Sequence, residues 1–307
     1  MGDADKIIAR TEASMAAIDA DQWDACANPG GSIPYNPFLS HRFLSALETS
    51  GSATPETGWQ PYHILVEDGR GQIKGCCPAY LKGHSQGEYV FDYGWADAWE
   101  RAGGRYYPKL QVSVPFTPAT GRRLLAMPGP DQQQTEDQIA AALVELTNRL
   151  ELSSCHLTFL PEDQWTRLGE IGFLQRTDQQ FHWEDESYGS FDGFLSALAS
   201  RKRKNLKKER ARAVENDITI EWVTGNDITE DHWDAFFRFY MDTGSRKWGT
   251  PYLTRSFFSI IGEEMPEDIL LILAKRDGRY IAGALNMIGS ETLFGRYWGC
   301  TEHHDFL

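Results

Sequence analysis

The same strand–turn–strand signature occurs twice in this chain, and that repeat limits the fold more than any other feature. Glu67–Leu81, EDGRGQIKGCCPAYL, and Lys275–Gly289, KRDGRYIAGALNMIG, each pass through an Asp-Gly turn into a glycine-containing apolar strand. Asp-Gly supplies the positive φ that a tight hairpin demands. A hairpin that recurs so far along the chain predicts two copies of one α/β unit rather than two unrelated domains. With 307 residues the chain has the length for both.

Periodicity fills in the rest. A helix capped by Asp19 or Asp21 carries Trp23 on its apolar side, and a second covers 38–48 after a Pro/Gly-rich break. Strands follow over 61–67 and 72–82. The stretch GEYVFDYGWADAWERAG predicts a further strand running into aromatic-rich chain. A helix over 135–151, a strand at 155–160, a short helix near 163–170 and a closing strand around Phe181 complete a first unit over 1–188. The second unit, 189–307, opens with a helix over 191–199 and a basic helix over 201–212. A strand at 218–224 and a helix with Trp233, Phe236, Phe237 and Tyr240 inward come next. Residues 243–250 read as a loop, 253–263 as a helix, and 269–275, 280–289 and 292–299 as a strand meander.

Composition removes several classes of function. A formal charge of −14 disfavours broad adhesion to nucleic acid or anionic lipid. No segment reaches the roughly 18 apolar residues of a membrane span. Five cysteines in irregular spacing fit a reducing compartment, so the expected location is the cytoplasm. His303 and His304, beside Glu302 and Asp305, lack metal-ligand spacing, and no metal is expected. Neither a G-x-S-x-G elbow, a P-loop nor an H-E-x-x-H motif is present.

Longer stretches resemble a known group. SRKRKNLKKERARAVENDITIEWV, MDTGSRKWGTPYLTRSFF and LAKRDGRYIAGALNMIGSETLFGRYWG look like the FemAB-like branch of the GCN5-related acyltransferase superfamily. NPFLSHRFLSALETSG and FDYGWADAWERAGGRYYPKLQVSVPFTPATGRRLL are similar to bacterial members of that branch. The resemblance implies an α/β fold of two tandem acyltransferase-like domains, with mixed, mainly antiparallel sheets flanked by helices. It implies an acyl-CoA co-substrate, with aminoacyl-tRNA as the second possibility. Two departures stand out. A Gly-rich pyrophosphate loop is missing, since the nearest likeness, Arg279–Ala284, falls in a hairpin strand. The second domain also looks incomplete at its C-terminal end, as in a truncated chain.

Three clusters are candidates for chemistry. The basic helix puts Arg201, Lys204, Lys208 and Arg212 in register at i+3 and i+4, with Leu206 and Ala213 facing inward. That face suits the phosphates of an acyl donor, or it is a solvated face offsetting an acidic body. Arg246 and Lys247 extend the donor site and Trp248 offers a stacking ring, or anchors its loop. In the aromatic-acidic stretch, Asp92, Asp97 and Glu100 are candidate proton acceptors for an attacking amine. Tyr93, Trp95, Arg105, Tyr107 and, from the second unit, Arg296 are candidate substrate contacts, with Tyr106 and Lys109 along the same groove. The competing reading of this stretch is packing between the units. The leading function is acyl transfer from acyl-CoA to a small-molecule or peptide amine by direct attack, with no tightly bound cofactor. The alternatives are aminoacyl-tRNA-dependent transfer to a peptide or cell-envelope precursor, and a binding module that keeps the fold without the chemistry.

Overall fold

The structure, a computed structural model, describes residues 7–247, 251–302 and 304–306, leaving aside the side chains of 245–247. It is an α/β fold of mixed, mainly antiparallel sheets flanked by helices, the arrangement expected of tandem acyltransferase-like units. In the first half, β1 (Ile8–Glu12) is followed by α1 (Ala20–Ala27) and α2 (His41–Thr49). Next come β2 (Trp59–Pro61), β3 (His63–Glu67), β4 (Ile73–Cys77) and β5 (Ala79–Lys82). The half is completed by α3 (Tyr93–Arg101), β6 (Lys109–Val112), β7 (Leu125–Ala126), α4 (Gln132–Arg149), β8 (Cys155–Leu157) and α5 (Glu162–Glu170). The second half has α6 (Phe191–Ala197), α7 (Ser200–Ala213), β9 (Thr219–Thr224), α8 (Glu230–Lys247) and α9 (Arg255–Glu264). Strands β10 (Ile269–Arg276), β11 (Arg279–Ile288) and β12 (Leu293–Cys300) follow.

The repeat read from the two hairpins is visible in the topology. Strand, two helices and a hairpin recur as β1-α1-α2-β3-β4 and as β9-α8-α9-β10-β11, with sheet orders β1-β3-β4-β7 and β9-β10-β11-β12. The glycine of each second strand admits close packing. A Cβ on Gly75 would lie 2.5 Å from Thr135 Cγ2 on α4, and one on Gly283 2.7 Å from Leu273 Cδ2 and 3.3 Å from Phe239 on α8. One apolar core runs through both halves: Phe38, Phe43 and Leu47 join Phe257, Ile261, Leu271 and Leu285 in a single cluster. At the same seam the Tyr35 hydroxyl donates to Asp268 Oδ2 at 2.5 Å, and Arg42 pairs with Glu267 at 2.8 Å.

Three expectations need correction. The stretch after Gly87 forms no strand: residues 88–92 are loop, and α3 begins at Tyr93, with Ala96 its only buried residue. Around Phe181 there is no strand either. That segment is tied by side chains, Arg176 to the Phe91 carbonyl at 3.0 Å and Gln180 to the Pro118 carbonyl at 2.9 Å, so its backbone joins no ladder. Residues 243–247 are the end of α8 rather than a loop, and Gly244 there lets Pro251 pack against the helix, 2.3 Å from where a Cβ would stand.

Candidate active site

The first half contains a sheet, β2-β5-β6-β8, whose two faces differ. Alternation along β6 sends Leu110 and Val112 to one side, where they pack with Ile139, Leu143 and Leu146. It sends Lys109 and Gln111 to the other. Lys82 of β5 stands opposite Lys109, and Trp59 of β2 opposite Lys82. His156 of β8 stands beside Gln111 in the parallel pair. Like charges directly opposite one another destabilise a sheet. Here both lysines are also fully buried.

The compensation comes from residues 83–92, which lead from β5 to α3. Lys109 Nζ donates to Ser85 Oγ at 2.9 Å, Glu88 Oε2 at 2.8 Å and Asp92 Oδ2 at 2.5 Å. An ammonium has three donors, and all three are used. Tyr106 donates to the same Asp92 oxygen at 2.8 Å, and Ser85 shares a hydrogen bond with the Tyr107 hydroxyl at 2.8 Å. Glu88 Oε1 and Asp92 Oδ1, both buried, have no hydrogen-bond partner among the described residues.

These surroundings drive the two carboxyls apart. Burial raises Glu88 above the ordinary carboxylate range, and the pull of Lys109 does not reverse it. Burial acts on Asp92 as well, but the hydrogen bonds from Lys109, Ser85 and Tyr106 outweigh it and hold Asp92 below its usual value. Burial brings Lys82 down to about 7 and His156 down to about 4, so His156 is a neutral ring near pH 7. Neighbouring groups displaced in opposite directions are found both in proton-transfer sites and in buried ion-pair networks.

The second half meets the flank of this cluster at Phe116. The chain leaves this sheet after β6 and enters the β1-β3-β4 sheet at β7, and Phe116, between them, has φ of 59°. Its carbonyl accepts from Arg296 Nη2 at 2.6 Å and from the Tyr297 hydroxyl at 3.2 Å. Its ring stacks on Tyr252 with centroids 4.9 Å apart and meets Trp59 edge-on at 5.3 Å. A left-handed Phe is strained, and these contacts hold it in place.

The structure gathers some of the sequence-picked residues and disperses others. Asp92 and Tyr107 belong to the cluster. Tyr93 stands beside it, its hydroxyl raised first by burial and then by Tyr252, Tyr107, Asp92 and Glu88. Arg296 lies at the seam, engaged with Phe116. Asp97 is exposed and paired with Arg101 at 2.9 Å, and Glu100, Arg105 and Trp95 are exposed too, Trp95 beneath the Arg176 guanidinium at 5.7 Å. The side chains of Arg246 and Lys247, and Trp248 and His303 altogether, lie outside the described residues. Glu88, Lys82, Ser85 and His156 were not singled out by sequence. The available signal was a lysine at the end of each of two apolar strands, AYLK and KLQV, a pattern equally typical of a solvated strand end.

Arg201, Lys204, Lys208 and Arg212 are exposed on α7, which has no buried residue. Leu206 and Ala213 are only partly covered, so the inward face expected of this helix is shallow. Arg212 sits 3.8 Å from Asp305 and over the Phe306 ring. Replacing Lys204 and Lys208 with Gln should move stability by no more than about 0.5 kcal/mol. Leu206→Ala should cost less than the roughly 2–5 kcal/mol of a core leucine. Thermal melts of both variants check this, and a core-sized loss at Leu206 would contradict the shallow packing.

A separate cleft of about 470 Å³ opens between α8 and the β10–β11 turn, lined by Asp231, Asp234, Arg238, Arg279, Tyr280 and Glu302 and by none of the cluster. Among the described residues no group of three or more His, Cys, Asp or Glu could hold a metal ion, and no helix is long and apolar enough to cross a membrane.

Comparison with known proteins adds a family. The FemAB-like profile, described as peptidoglycan biosynthesis/recognition, matches residues 14–307. No curated protein sequence matches. Among solved structures, a tandem GNAT protein from the clavulanic acid biosynthesis pathway (without AcCoA) is similar at 12% identity and a TM-score of 0.38, over 97% of this chain and 76% of that one. A GCN5-related glucosamine N-acetyltransferase region of a fungal multi-domain GH3 β-N-acetylglucosaminidase is similar at 12% identity and a TM-score of 0.35, over 92% of this chain and 28% of that one.

Proposed function

The chain belongs to the FemAB-like family, and on that premise we propose that it is an N-acyltransferase that moves an acyl group from acyl-CoA to an amine. The supporting observation is the buried carboxyl pair held by Lys109, with Glu88 raised and Asp92 lowered. In this reading the amine nitrogen attacks the thioester carbonyl, the C–S bond breaks, and CoA leaves as its thiolate. The proton shed by the amine goes to Glu88, which burial makes a stronger base than Asp92. Asp92 is less suited, because one of its oxygens already accepts from both Lys109 and Tyr106. It fixes Lys109 and so orients Glu88. Backbone amides where β6 leaves the sheet would receive the oxyanion. The two halves, 1–188 and 189–307, act together, since Tyr252, Arg296 and Tyr297 close the flank.

The test is incubation of the full chain with labelled acyl-CoA donors and a panel of small and peptide amines. Acylated amine with release of free CoA is the expected result, and the absence of both transfer and donor binding would count against the proposal. A second reading, aminoacyl-tRNA-dependent transfer to a cell-envelope peptide, draws on the peptidoglycan description of the family and the exposed cations of α7. Binding of charged tRNA that weakens steeply with salt, without affinity for acyl-CoA, would favour it. Binding of either donor without turnover would point to a non-catalytic module.

A further inference from the structure

Lys82 and Lys109 face each other across β5 and β6, yet their surroundings differ. Lys109 has three acceptors, two of them carboxylates. Lys82 has one neutral acceptor, the Gln86 carbonyl at 3.2 Å, and the Trp59 ring 3.6 Å beneath its nitrogen. A fully buried ammonium with a single acceptor is costly, and shedding its proton relieves the cost. From the loop over the sheet, His84, Glu88 and Asp92 are its other ionisable neighbours.

We propose that Lys82 is a positioning residue whose buried charge, set opposite Lys109 across the β5–β6 pair, governs how firmly the Lys109-held Glu88 keeps its proton. This deepens the acyltransferase reading and rests on it, because it assigns a tuning partner to the proposed proton acceptor. Burial pushes the two groups toward each other, Lys82 down to about 7 and Glu88 upward. After burial, Glu88 is the largest influence on Lys82, and Lys82 in turn pulls Glu88 down, second to Lys109. Lys82 stands opposite Lys109, which holds Glu88 at 2.8 Å, so a change of charge at Lys82 acts on Glu88 across that short span.

The displacement has a defined sign. Lys82→Met keeps an unbranched stem over Trp59 and removes the nearby cation, so Glu88 should hold its proton to higher pH. Lys82→Arg fixes a positive charge, so Glu88 should lose its proton at lower pH. Carboxyl carbon-13 NMR of the full chain, with the Glu88 signal assigned through Glu88→Gln, follows this without turnover. The acid limb of the acyl-transfer pH profile should move with it, because the base must be deprotonated to work. Opposite shifts of about one pH unit in the two variants are expected. A residue with only a structural role would leave the titration in place or move it the same way in both. If Lys82→Arg does not fold, Lys82→Met alone decides: an upward shift supports the coupling and an unmoved Glu88 signal overturns it. A shifted Glu88 signal in a protein that transfers no acyl group upholds the coupling while removing the acyltransferase reading.

Discussion

Lys109→Met should cost the protein about 3–5 kcal/mol, the scale of breaking a buried ion pair from one side. The lysine is fully buried and holds Ser85, Glu88 and Asp92 at once. Removing its charge strands two carboxyls that together expose almost nothing to water. The expected signature is a fall in the urea midpoint with an unchanged slope. Glu88 and Asp92 would then both have folded pKa values above their unfolded ones. The folded state would bind more protons than the unfolded chain above the ordinary carboxylate range, so stability would rise as pH falls toward that range. The deficit of the variant should therefore be smaller at pH 5 than at pH 8. Adding Asp92→Asn to Lys109→Met should restore part of the loss, because a stranded charge becomes a neutral amide. A surface-sized loss for Lys109→Met, independent of pH, would mean that the cluster does not hold this loop to the sheet.

Much of this architecture could be read from residues close together in the sequence. Asp68-Gly69 and Asp277-Gly278 marked both hairpins because a tight turn imposes a local backbone requirement. Asp19 caps α1 through Gln22 and Trp23 is buried, as spacing alone suggested. Where the reading failed, the deciding partner was distant. The Tyr89–Phe91 stretch has strand-forming residues, but it pairs with no strand and lies in the loop that leads into α3. Lys82 and Lys109 are 27 positions apart by numbering, and only the β5–β6 register puts them face to face. Glu88 lies just before the aromatic-acidic stretch, 91–101, that sequence singled out. Asp92, Asp97 and Glu100 were preferred because nothing in one dimension distinguishes a carboxylate under a lysine from one in solvent. The helical pattern of α7 was legible for the opposite reason, since its charges need no partner to form a helix.

Glu88→Gln should lower kcat by about 10²–10⁴-fold, the usual contribution of a positioned proton acceptor, while leaving the protein folded. Gln has the same shape and can still accept from Lys109, and Asp92 remains to balance that lysine. The stability change should thus be small beside the loss of rate. KM for the acyl donor should hardly move, because Glu88 acts on the amine proton and not on donor binding. Asp97→Asn and Glu100→Gln are the matched controls on α3. Both carboxylates are exposed, and both variants should retain nearly full rate. Asp92→Asn should fall between: it loosens Lys109 and so displaces Glu88 without removing the proton acceptor. Steady-state kinetics with a fixed amine acceptor distinguish these cases. Near-full rate in Glu88→Gln, with Asp92→Asn severely impaired, would transfer the proton-accepting role to Asp92. Near-full rate in both would place the chemistry outside the Lys109 cluster altogether.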